Sequence, residues 1–182
     1  LLWIQGQVEL ARSRLPSARA ALTALTQMQQ AAGITETNYK PAYKFALHLT
    51  ALVRTAERRR EQALAALDEL RLIRAKLGYW STPYDQAFFL DASGQLRESH
   101  GQRAEAERDY RDALAYNGHY ALARFHLGRL LYRCGRTPEG RQELEAFLRE
   151  WSGADATVAE VGDAKMILAG ATTPFIRRSS LR

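Results

Sequence analysis

Cysteine is almost missing from this chain of 182 residues, and the one present, Cys134, has no partner with which to close an internal disulfide. One unpaired cysteine suits a reducing compartment. No apolar run approaches the roughly 20 residues that cross a bilayer as a helix. The apolar opening Leu1-Leu2-Trp3-Ile4 is broken at once by Gln5, Gln7 and Glu9, unlike a signal peptide. An initiator Met is also lacking, so the expectation is a piece cut from a longer protein. Period-two alternation is absent over any useful length, which speaks against strands.

The residues that carry chemistry are equally sparse. No Gly-x-x-x-x-Gly-Lys-Ser/Thr loop appears, and no Gly-x-Gly-x-x-Gly follows a predicted strand. His48, His100, His119 and His126 never pair at the i, i+3 or i+4 spacing that metal ligands on a helix need. Ser99 with His100, and Asp109 with Asp112, read as solvent-facing polar residues of amphipathic helices. Cys134 reads as a helix-end residue packed against the next helix. No nucleophile, base and orienting group converge, so no enzyme, cofactor or metal is expected.

What is present is helix-forming. The chain is 46% hydrophobic and 25% charged, and Ala, Leu, Arg, Glu and Gln dominate. The net charge of +6 is uneven: residues 1–84 hold 12 Lys+Arg against 6 Asp+Glu, and the densest point is Arg58-Arg59-Arg60. Helical periodicity predicts helices over 1–13, 16–31, 41–57, 60–77, 84–99, 103–116, 120–133, 137–150 and 155–168. Loops are read at Gly33–Pro41 and around Lys76–Tyr84, where Gly78 and Pro83 break the pattern. Asp155 and Thr157 are candidate caps for the last helix.

A repeat organises these helices. Gly94 and Gly128 lie 34 residues apart, and the same step carries Gly101 to Gly135, Ala106 to Gly140, Tyr110 to Leu144 and Ala113 to Phe147. Small residues at 94, 128, 106 and 140 let paired helices approach. Gly101 and Gly135 suit the left-handed conformation of a helix C-terminus. Upstream, Ala51, Ala63, Leu67 and Leu70 repeat the pattern after a shift of 43, and Gly6, Ala18, Leu22 and Leu25 form a weaker copy.

A 34-residue period of paired helices marks the tetratricopeptide repeat (TPR), and the stretches Leu90…Gly94…Gly101…Ala106…Tyr110…Ala113 and Leu127-Gly128…Leu131…Gly135 resemble two consecutive motifs of that family. Arg97, at a usually apolar position, and the lack of a proline ending each repeat are departures from it. The resemblance implies an all-α fold: a right-handed superhelix of antiparallel helix hairpins with a C-terminal capping helix. One repeat domain over 1–171 is expected, with repeats at about 1–32, 41–77, 84–118 and 119–154, a cap at 155–168 and a flexible tail over 172–182.

The resemblance also implies a role in binding a protein or peptide in the concave groove lined by the first helix of each hairpin. The matching positions are Trp3 and Gln7; Phe45, His48, Leu52 and Thr55; Phe88, Asp91, Gln95 and Glu98; and Phe125, Arg129, Tyr132 and Arg133. Aromatic and Arg residues are the types enriched at binding hot spots. Family members that grip the carboxylate tail of heat-shock chaperones use Lys, Asn and Arg on successive groove helices; His48, Leu52, Asp91 and Gln95 stand there, and Asp91 would repel a carboxylate. The segment Glu145–Asp155 resembles the end of arrays in large bacterial signalling proteins, after kinase or winged-helix domains, which implies a cytoplasmic regulatory protein. The partner's identity stays open, and a homo-oligomer is compatible. The alternative reading is nucleic-acid binding by the basic first half, although no aromatic residues interleave with Arg58-Arg59-Arg60 for base stacking.

Overall fold

The computed structural model describes residues 1–33, 43–77, 83–153 and 158–170. Among these it contains α1 (Leu2–Ala11), α2 (Leu15–Ala31), α3 (Tyr43–Ala56), α4 (Arg60–Leu77), α5 (Pro83–Ser99), α6 (Arg103–Tyr116), α7 (Ala121–Arg133), α8 (Thr137–Glu150) and α9 (Ala159–Leu168), and no strand. The predicted bounds of α6 and α8 agree with those observed. The last helix starts at Ala159 behind Val158, not at 155. Asp155 and Thr157, the tail over 172–182, and most of the two predicted interhelix loops lie outside the described residues.

Consecutive helices pack as hairpins, α1 with α2, α3 with α4, α5 with α6 and α7 with α8, and each second helix also touches the first helix of the hairpin after it within the same unit. This is an all-helical, TPR-like succession of pairs. By contact the described helices fall into two compact units, α1 to α4 and α5 to α9.

The four hairpins turn in one way. In each, the residue after the C-cap takes a positive φ: Ser13 (58°), Arg58 (60°), Gly101 (79°) and Gly135 (79°). The next residue's N–H then reaches back to the third-last helical carbonyl, from Arg14 to Glu9, Arg59 to Arg54, Gln102 to Arg97 and Arg136 to Leu131. These paired backbone bonds form the Schellman motif, which satisfies carbonyls that a helix end leaves open. Glycine adopts the left-handed conformation without a Cβ penalty. In the first two hairpins Ser13 and Arg58 adopt it instead.

In the first unit Ala18, Leu22 and Leu25 of α2 close against Ala46, Leu49 and Val53 of α3, with Leu2 and Trp3 of α1 packed on the cluster. A Cβ at Gly6 would lie 2.6 Å from the Leu49 methyls, so its smallness admits the Leu49 side chain of α3. In the second unit, Ala106 and Tyr110 of α6 bury Leu127, Leu130 and Leu131 of α7. Val161, Ala164 and Ile167 of α9 then close over Phe125, Leu144 and Phe147. The apolar stripe of α9 thus caps the last hairpin.

Arg97 and Asp109 are not solvent-facing. Their side chains are 3% and 2% exposed, and Arg97 Nε donates to Asp109 Oδ2 at 3.0 Å, joining α5 to α6. The Arg97 guanidinium also donates to Gln102 Oε1 at 2.9 Å. The usually apolar position is filled by an ion pair whose partner lies in the same hairpin. Cys134 is exposed, at the C-cap of α7, and is not packed on the next helix.

Candidate functional site

The groove positions divide between the two units. In the first, Trp3 of α1 stands one repeat ahead of His48 of α3, and its Nε1 donates to His48 Nδ1 at 3.0 Å. The accepting nitrogen must be unprotonated. Burial, which disfavours the charged imidazolium, lowers the His48 pKa to about 4. Phe45 stacks obliquely on Trp3 with ring centroids 4.9 Å apart, and Lys44 lies 5.3 Å from the Phe45 ring. Gln7 and Leu52 are half-buried. His48 is buried, so it positions Trp3 and presents no surface of its own.

In the second unit two carboxylates of α5 organise the first-helix face. Asp91, buried, lies 2.7 Å from His126 Nδ1 through Oδ1 and accepts from Gln95 Nε2 at 3.1 Å through Oδ2. It is thus engaged inside the fold. Glu98 accepts from Arg129 at 3.1 Å, from Arg133 at 2.6 Å and from the Tyr110 hydroxyl at 3.2 Å. Burial first, and then the negative charge of Glu98, pushes the Tyr110 pKa well above its ordinary value, so its hydroxyl stays a donor. Arg129 Nε is buried without a hydrogen-bond partner, and its guanidinium carbon lies 5.5 Å from the Phe125 ring centroid. On α9, Asp163 has its pKa raised by burial and by Glu160, with Arg129 opposing the shift.

The groove positions therefore separate by burial. Phe125 is a core residue, 2% exposed against Phe147 at 5.4 Å, so it lines no groove. Tyr132 is half-buried at the edge of the same core, Arg129 is 18% exposed in its side chain, and Arg133 is 50% exposed. Sequence reasoning missed the pairings themselves. The signal for them was present: Asp91 to His126 and Glu98 to Arg133 both span 35 residues, one more than the repeat, while Trp3 to His48 spans the 45 that relates the first two hairpins. Equivalent first helices stack side by side, so complementary residues about one repeat apart meet.

Charge in the first unit gathers elsewhere. Glu57, its side chain 3% exposed, is held by Arg19 of α2, by Arg54 at 2.7 Å and by Arg59 at 3.5 Å. The Arg54 hydrogen bond first, and then that of Arg19, keeps its carboxyl below the usual range against the opposing effect of burial. Among the described residues no group of His, Cys, Asp and Glu is placed to hold a metal ion, and no helix is long and apolar enough to cross a membrane.

Family comparison completes the picture for the second unit: the tetratricopeptide repeat family model matches residues 99–150, from the end of α5 through α8. Residues 99–150 thus match a tetratricopeptide repeat. The repeat includes the turns at Gly101 and Gly135, the Gly128 crossing, and both Arg129 and Arg133. Tetratricopeptide repeats are in general protein–protein interaction modules. No curated protein matches the chain.

Proposed function

We propose that the chain is an interaction scaffold that holds a protein or peptide partner against the first helices of its hairpins, at Arg129, Tyr132 and Arg133 in the second unit and at Trp3, Gln7 and Leu52 in the first. One observation carries this reading. Glu98, itself covered, fixes two guanidiniums, and one of them, Arg133, stays half exposed and follows Tyr132 in sequence. An Arg fixed in this way has less rotamer entropy left to lose on binding, and Arg and Tyr are of the types that dominate interface energetics. The likeness of Glu145–Asp155 to the ends of bacterial signalling arrays supports a place in a larger cytoplasmic regulatory protein.

A peptide-library screen followed by calorimetry tests the site. Replacing Arg129 and Arg133 alone would orphan Glu98, so the informative variant is Arg129→Gln/Arg133→Gln/Glu98→Gln. Loss of the selected peptide at an unchanged melting temperature supports the assignment, and unchanged affinity overturns it.

A further inference from the structure

A second surface lies away from the groove. An open cleft of about 250 Å³ runs between α2 and α3, lined by Leu22, Thr23, Thr26, Gln27, Thr50 and Arg54. Thr50 and Arg54 each stand two residues from Leu52, roughly 200° round the helix from it, so they look out on the opposite side of α3 from that groove position. The lining offers donors: two threonine hydroxyls, the Gln27 amide and the Arg54 guanidinium. Thr26 spends its own hydroxyl proton on the Leu22 carbonyl at 3.0 Å. No carboxylate lines the cleft.

Arg54 also belongs to the cluster on Glu57, with Arg19 and Arg59. Three guanidiniums share one carboxylate there, so positive charge is left over. Arg19 and Arg59 are 52% and 53% exposed, and Arg58 and Arg60 are exposed next to them in sequence. The cluster already shows which ligand its geometry accepts, because Glu57 is a carboxylate held by several forks at once.

We propose that this cleft and its arginine rim form a docking site for an acidic, Glu- or Asp-rich segment of a partner protein. The cleft's donors would take one carboxylate side chain, and the rim its neighbours along the segment. Charge complementarity selects the occupant, and two features favour a peptide over nucleic acid. No aromatic residue lines the cleft for base stacking. The cations converge on one point and do not follow a track of phosphates.

Fluorescence anisotropy with a labelled Glu-rich peptide, and with labelled RNA and duplex DNA of equal charge, tests the proposal near physiological salt. The peptide should bind, and Arg19→Gln/Arg59→Gln should weaken it about tenfold, the loss of two exposed charge pairs. Arg54 remains in that variant to hold Glu57, so its melting temperature should match the parent. Arg103→Gln/Arg108→Gln removes the same charge from exposed positions of the other unit and should leave binding unchanged. Three results overturn the proposal: no peptide binding, equal loss in both variants, which indicates net charge alone, or binding of the nucleic acids in place of the peptide.

Discussion

Gly128 on α7 and Gly140 on α8 meet backbone to backbone. A Cβ at 128 would stand 3.0 Å from the Gly140 carbonyl oxygen, and one at 140 would stand 2.8 Å from the Gly128 carbonyl oxygen and 2.9 Å from the Tyr132 nitrogen. Backbone cannot swing aside as a flexible side chain can. Gly140→Ala should therefore cost about 1–3 kcal/mol, the range for forcing bulk into a packed contact, outweighing the roughly 1 kcal/mol that alanine gains in a helix. Chemical denaturation measures this directly. A Gly140→Ala protein as stable as the parent would remove the crossing from the account of the hairpin, and with it the groove register built on Gly128.

Arg58 is the opposite case, a side chain where glycine fits better. The left-handed conformation costs an L-residue about 1–2 kcal/mol, and part of the gain from glycine returns as entropy of the unfolded chain. Arg58→Gly should raise stability by about 0.5–1 kcal/mol, while Gly135→Ala, at a φ of 79°, should lower it by about 1 kcal/mol. Thermal melts that showed both changes to be neutral would mean that these turns relax at no cost.

The buried pair of Arg97 and Asp109 predicts a non-additive pattern. Asp109→Ala leaves a covered guanidinium without its partner and should cost about 3–5 kcal/mol. Arg97→Leu/Asp109→Leu removes both charges and should cost much less than the sum of the single changes. Leu131 occupies the equivalent place one repeat later and is buried, which shows that an apolar residue fits such a position. A double-mutant cycle with no coupling energy would count against the pair.

Acid should weaken the first unit through His48. Its folded pKa is about 4, against an ordinary value of 6.5. Unfolded chains take up this proton as the pH falls through 6.5, and the folded chain resists until about 4. The stabilisation is therefore complete above 6.5, declines across that window, and amounts to about 3 kcal/mol in all. Urea midpoints between those pH values, taken for the parent and for His48→Gln, isolate the contribution. Parallel pH profiles would show that His48 does not carry it.

Much of this architecture was legible because repetition writes it more than once. The step from Gly94 to Gly128 fixed the hairpins of the second unit, and the alanines at 18, 51, 63 and 106 are all fully buried where the register put them. The polar pairings were harder to read. Asp109 and Arg97 look exposed one at a time, since a charge in an amphipathic helix normally faces water; only their spatial partnership makes burial tolerable. Phe125 misled for a related reason. Its position faces a groove in the middle of an array, but in this chain α9 lies over that face and turns it into core.

The contact between α5 and α7 joins Asp91 to His126 and Glu98 to Arg129 and Arg133, beside an apolar cluster that includes Leu90 and Ala123, whereas α6 meets α7 through Ala106, Tyr110 and the leucines at 127, 130 and 131. These two seams answer to different solvents. A concentrated kosmotropic salt such as sulfate screens the partly exposed pairs at Glu98 and strengthens the burial of the leucines. The ion pairs at Glu98 are therefore the part of the second unit most sensitive to the medium.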